Sequence, residues 1–164
     1  MHLEGSCCCQ SVKFSVESPH PYPYMHCYCS ICRKTQGGGG FAINLGALYD
    51  SLKVEGKEHI RHFSPMYTNH ETGVYEQSLG QRHFCSKCGS SLWVWDPRWP
   101  DLLYPYASVI DTPLPVPPER NHILLDSKPD WVNVSNRSTD KQFEHFLEVM
   151  SLAEWHEQHG LSEG

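Results

Sequence analysis

A chain of 164 residues is of single-domain size and long enough for a real hydrophobic core, so a metal ion is not needed merely to rescue a tiny fold. Charged residues make up 20% and the formal net charge is -6, which is not the electrostatic footprint of a nucleic-acid binder. No apolar run approaches a membrane span, and residues 1–6 lack the basic and apolar regions of a secretory signal, so a cytoplasmic protein with reduced thiols is expected.

In chain order, Cys7, Cys8 and Cys9 come first. Residues 11–17 then alternate polar and apolar, which predicts a half-buried strand with Val12, Phe14 and Val16 toward the core. Pro19, Pro21 and Pro23 end it, because proline cannot donate to a sheet ladder. Residues 25–34 follow as Met-His-Cys-Tyr-Cys-Ser-Ile-Cys-Arg-Lys, placed on a turn. Gly37 to Gly40 read either as a plain connector or as a bare-backbone loop that lets a peptide-like substrate approach. No Lys-Ser/Thr follows them, so they are not a phosphate loop.

Short strands are expected at 41–45, 52–54, 60–63, 75–79 and 91–95, with a loop at 64–73 and a turn at 96–101. A strand over 102–110 is interrupted by Pro105, and residues 112–118 form a proline-dense extended crossover. Trp93, Trp95 and Trp99 are expected in the core or at its rim. His59, His62, His70, His83 and His122 receive no assigned role. Near the end, Thr139 with Gln142 fits a capping box, and Phe143, Phe146, Leu147 and Met150 recur at helical spacing up to a stop at Gly160. This C-terminal amphipathic helix needs a surface to cover: its own domain, a second copy in a homo-oligomer, or the mouth of the site.

The eight cysteines are the chemically informative residues. Cys27, Cys29 and Cys32 are too close for ordinary disulfide geometry, yet all three can converge on one soft metal ion. Tetrahedral zinc takes thiolates at about 2.3 Å, and three of them leave one position open. Cys85-Ser-Lys-Cys88-Gly89 has the form of a zinc knuckle whose turn needs a glycine at positive φ. A knuckle supplies one pair of ligands, and spacing alone does not say whether Cys7 with Cys9 or part of the central cluster completes it. Economy favours a closed site of Cys7, Cys9, Cys85 and Cys88 and an open site of Cys27, Cys29 and Cys32. The alternative is that both metals are structural, with a histidine such as His26 completing the second set. In the favoured split, with Cys7 and Cys9 sharing a side, Cys8 faces away as a small packed residue or a free thiol.

Taken together, Gly5-Ser-Cys7-Cys8-Cys9, Cys27-Tyr-Cys29-Ser-Ile-Cys32-Arg33 and Phe84-Cys85-Ser-Lys-Cys88-Gly89 resemble the glutathione-dependent formaldehyde-activating enzyme family, which includes centromere-protein-V-like proteins. Residues 107–111, His122-Ile123 and Ser127-Lys-Pro-Asp-Trp-Val132 are similar to its closing segment, so the likeness covers residues 5–134. It implies a mainly β, Mss4-like zinc-bound sheet domain over residues 1–136, with the C-terminal helix and tail at 137–164. It also implies two zinc ions per chain: a structural one on Cys7, Cys9, Cys85 and Cys88, and a catalytic one on Cys27, Cys29 and Cys32. Gln10 stands where the family usually has glycine and Tyr28 where it often has histidine, and residues 64–81 are longer than usual.

Zinc has no redox chemistry, and neither a dinucleotide fingerprint nor a P-loop is present. The expected activity is therefore a zinc-dependent carbon–sulfur lyase that forms or cleaves the bond between a thiol, with glutathione as possible co-substrate, and an aldehyde-type carbon. Arg33 joins the site as a cation beside thiolates that can pair with a carboxylate of the thiol; Lys34 is its neighbour. The expected partner is a small-molecule thiol or its adduct, with no nucleic acid and no membrane. The alternative is a non-enzymatic, zinc-stabilised protein-interaction module.

Overall fold

The computed structural model describes residues 1–36, 38–69, 72–146 and 151–161. The architecture is mainly β with a C-terminal helix, as expected, and the chain divides into two compact units, each built from two stretches of sequence.

The first unit comprises Met1–Pro19 and Ala47–Leu114. Strands β1 (His2–Ser6) and β2 (Lys13–Glu17) pair antiparallel, and β6 (Lys53–Glu55) adds to β2. The expected alternation holds: Phe14 and Val16 are buried while Lys13 and Glu17 face water. A five-stranded sheet runs in the order β5 (Ala47–Leu48), β12 (Leu102–Pro105), β11 (Ser91–Trp95), β10 (Gln81–Cys85), β7 (Ile60–Phe63). Leu92, Trp93, Val94 and Leu103 supply its core, and Trp93 meets Phe14 edge to face at 5.1 Å. Of the other tryptophans, Trp95 is half-buried and Trp99 lies at the rim under Arg98.

Two expectations need correction in this unit. The 64–73 stretch is not all loop, because β8 (Met66–Thr68) pairs with β9 (Tyr75–Gln77) as a separate hairpin. The strand beginning at Leu102 stops at Pro105, and Ala107–Val109 is a 3-10 turn, since proline cannot continue the ladder.

The second unit comprises His20–Gly46 and Pro115–Gly164. Its sheet runs β14 (Lys141–Gln142), β13 (Arg120–Ile123), β3 (Tyr24–Cys27), β4 (Ala42–Asn44). Strand β3 lies parallel to β13 and antiparallel to β4. Helix α1 (Ser30–Gln36) follows β3 after Tyr28 and Cys29.

The helix expected to start at Thr139 does not. Lys141–Gln142 pairs in parallel with Asn121 and His122, and the Phe143 N–H donates to the His122 carbonyl at 2.8 Å. Asp140 is drawn inward to His122 and Arg120, so the chain stays extended here. Leu147 and Met150 lie outside the described residues. The helix is instead α2 (Leu152–Gln158), closed at its start by a Ser151–Glu154 capping box and followed by Gly160 at φ +66°. Trp155 is its buried residue, and its indole N–H donates to Glu119 at 2.9 Å, so α2 covers its own unit.

Candidate metal centres

The cysteines converge in two separate groups. In the first unit, the sulfurs of Cys7, Cys9, Cys85 and Cys88 all lie within 4.8 Å of one another. Two tight turns place them. The Gln10 N–H donates to the Cys7 carbonyl at 2.9 Å, with Gln10 itself at φ +60°. The Gly89 N–H donates to the Cys85 carbonyl at 2.8 Å, with Gly89 at φ +74°, the backbone the sequence demanded of a glycine there.

Burial and hydrogen bonding divide these four thiols. Burial pushes Cys85 up to about 11, whereas the hydroxyl and N–H of Ser90 hold Cys88 down to about 6. Cys9 is also held low, chiefly by Ser11. Neighbouring sulfurs at 3.6 Å (Cys7 to Cys9) and 3.8 Å (Cys9 to Cys85) form a donor set that fits a cation at its centre. Cys8 is exposed and its N–H donates to Ser90, which keeps its side chain out of the group.

In the second unit, Cys27, Cys29 and Cys32 bring their sulfurs equally close. Cys27 is the last residue of β3, Cys32 sits in the first turn of α1, and Cys29 lies between them. The helix is wound onto the cluster: the Arg33 N–H donates to the Cys29 carbonyl at 3.0 Å and the Cys32 N–H to the Cys29 sulfur at 3.3 Å. Cys27 and Cys32 are buried, while Cys29 is partly open. The Cys27 thiol is pushed far up, first by hydrogen bonding with Cys29 and Cys32 and then by burial. Three sulfurs cannot all ionise side by side without a compensating cation, and a soft metal supplies one. Both groups could hold a metal ion.

Arg33 follows Cys32 on α1; its Nε is buried and has no hydrogen-bond partner among the described residues. Gly40 is buried at φ +82°, where a Cβ would press on Val132 and lie 3.1 Å from the Trp131 ring. Phe41, next to it, packs on His26 at 5.0 Å and Tyr28 at 5.3 Å between ring centroids.

Sequence reasoning left one feature of this unit unassigned. Tyr28 and His122 share a 2.8 Å hydrogen bond between the phenol oxygen and Nδ1, and Nε2 of His122 faces Asp140 at 3.5 Å. His26, beside Cys27, is buried against Phe41 and His122; burial first, then His122 and Arg120, brings it down to about 4. Only the family likeness flagged His122; no local pattern marks Asp140. Of the remaining histidines, His62 and His83 lie side by side in the first unit with tilted rings 5.2 Å apart, His59 neighbours Glu58, and His70 lies outside the described residues.

Comparison with known proteins gives three findings. The family model "Glutathione-dependent formaldehyde-activating enzyme" matches residues 2–126. A protein of Halomonas elongata, provisionally named as a glutathione-dependent formaldehyde-activating enzyme, is 54% identical over 164 residues, which is 100% of both chains. The crystal structure of a Rhodobacter sphaeroides protein is similar with a TM-score of 0.49 and 22% identity, covering 68% of this chain and 91% of that one.

Proposed function

From its membership of the glutathione-dependent formaldehyde-activating enzyme family, to which this chain belongs, we propose that the protein is a zinc-dependent carbon–sulfur lyase acting on a thiol adduct of an aldehyde. In the addition direction the thiol sulfur bonds to the carbonyl carbon and the thiol proton ends on the former carbonyl oxygen. Cleavage is the reverse, and neither direction needs an oxidant. Glutathione is the co-substrate that the family name implies, and formaldehyde the aldehyde.

The observation that carries the reading is the inequality of the two sulfur groups: four thiols in one, three in the other. Cys7, Cys9, Cys85 and Cys88 would hold a structural zinc with a full ligand set. Cys27, Cys29 and Cys32 would hold a second zinc that, when bound, offers an open position to a substrate sulfur or oxygen.

The chain's own residues do the rest. Cys29, the partly open member, sets the side from which substrate reaches the cluster. Arg33, half-buried and next to Cys32 on α1, is the cation placed to pair with a substrate carboxylate, a pairing that guanidinium suits. Gly38 and Gly39, exposed and without Cβ atoms, let a peptide-like thiol lie close to the backbone. Thiols kept as metal ligands need a reducing compartment, which supports a cytoplasmic location.

The test is metal per chain, followed by titration of the cobalt-substituted protein with glutathione. Two metals per chain and a thiol-dependent change in the cobalt spectrum are expected. A spectrum indifferent to thiol would favour a closed scaffold and overturn the enzyme reading.

A further inference from the structure

We propose that Tyr28, His122 and Asp140 form a positioning chain that holds the Cys27–Cys29 segment in ligating geometry, an inference that rests on the open three-sulfur site proposed above. Tyr28 is the single residue between two of the three sulfurs, and it is 1% exposed. It is tied twice to consecutive residues of β13. Its N–H donates to the Ile123 carbonyl at 3.1 Å, and its phenol oxygen meets His122 Nδ1 at 2.8 Å. Both neighbouring cysteines therefore inherit their placement from β13, a strand that carries no cysteine.

The polarity of the chain follows from its far end. Asp140 is pushed up by burial but brought below the usual carboxylate range by Ser135, His122 and Arg120, so it is an acceptor. Nε2 of His122 then carries the hydrogen toward Asp140, and Nδ1 accepts from the Tyr28 hydroxyl. Arg120 Nη1, 3.7 Å from the same carboxylate oxygen, closes the series. The side chains of His122 and Asp140 are 2% and 1% exposed, so water does not compete for these bonds. Thiolates brought this close repel one another, and a site that must hold them with only three sulfurs gains most from a scaffold fixed before the metal arrives.

Tyr28→Phe keeps the ring and its packing on Phe41 and removes only the hydroxyl. Outer-sphere partners of metal ligands commonly contribute at least tenfold in affinity, so we expect cobalt or zinc to bind the three-sulfur site about tenfold more weakly in chelator competition. The four-sulfur site should be unchanged. The cobalt absorption bands of the three-sulfur site should shift and broaden. Asp140→Asn should act in the same direction, and the double variant should be no worse than Tyr28→Phe, because links of one chain are not additive.

Variants that lower the thermal midpoint yet leave the affinity and cobalt spectrum of that site at wild-type values would show a purely structural network and overturn the proposal. So would strictly additive effects. A wild-type protein whose cobalt spectrum ignores thiols would instead defeat the enzyme reading, and the affinity comparison would still decide this one.

Discussion

The backbone N–H of Cys32 points at the sulfur of Cys29 from 3.3 Å, so the first turn of α1 is built around that thiol. Serine at position 29 can still accept that hydrogen bond through its oxygen. Cys29 is also the partly open member of its group, so little packing depends on it. Cys29→Ser should therefore keep its circular dichroism and thermal midpoint while losing one metal per chain and adduct turnover. Full turnover in this variant would refute the assignment of the site.

Cys85 makes the opposite prediction. It is fully buried, ends β10, and its N–H donates to the Ser90 carbonyl while its own carbonyl receives Gly89. Losing it would leave the other three sulfurs with an incomplete metal site, and structural metal binding is folding energy. A loss of about 3 kcal/mol corresponds to a fall of about 10 °C for a chain of this size, so Cys85→Ser should drop the midpoint by at least that. Differential scanning calorimetry of the zinc-loaded protein reads it. A midpoint within a degree or two of wild type would mean that the four-sulfur group holds nothing of structural consequence.

What the sequence made legible was local. The turn at Gly89, the alternation through Phe14 and Val16, and the grouping of sulfurs each depend on residues near one another in the chain. The pairing of β3 with β13 does not. Parallel strands need a long connection and leave no hairpin signal, so the segment that carries Cys27 is placed by residues near His122 without any local mark. Tyr28 stood out only as a departure from the family's usual histidine, for the same reason. At Thr139 a valid capping pattern lost to tertiary structure: the burial of Asp140 beside His122 and the pairing of β14 outweigh a weak local preference. The true helix start, Ser151 with Glu154, carried the same pattern in a less periodic stretch. Gln10 at φ +60° explains why glycine is the usual residue there, and its side-chain amide compensates by donating to Ser6 at 3.0 Å.

The glycine run separates two roles that composition alone merged. Gly40 is at φ +82°, and a Cβ there would press on Val132, so Gly40→Ala should destabilise the protein by roughly 2 kcal/mol through backbone strain and contact. Gly38 has nothing within 4 Å of an added Cβ, and alanine there should leave the thermal midpoint unchanged. If the exposed backbone receives a peptide-like thiol, Gly38→Ala should raise KM for that thiol several-fold with kcat little altered. An unchanged KM would return this loop to a simple connector.

His122 links the fold to pH. Burial pushes its pKa below the ordinary value of about 6.5, against the pull of Asp140 and with the help of Arg120; His26, a second imidazole packed on it, is likewise down, to about 4. The unfolded chain therefore binds protons at these rings before the folded chain does. Their contribution to stability is fully present above pH 6.5 and is lost as pH falls through the folded values. The Asp140 carboxyl, also depressed, adds its own loss only lower, below the ordinary carboxylate range. His122→Gln removes one titrating ring and keeps a hydrogen-bonding side chain. Its thermal midpoint should be lower at pH 7 but fall less steeply between pH 6.5 and 5 than that of the wild type, with His26 and His83 supplying the remaining slope. Parallel midpoint curves for the two proteins over that range would mean that His122 is not held neutral by the fold.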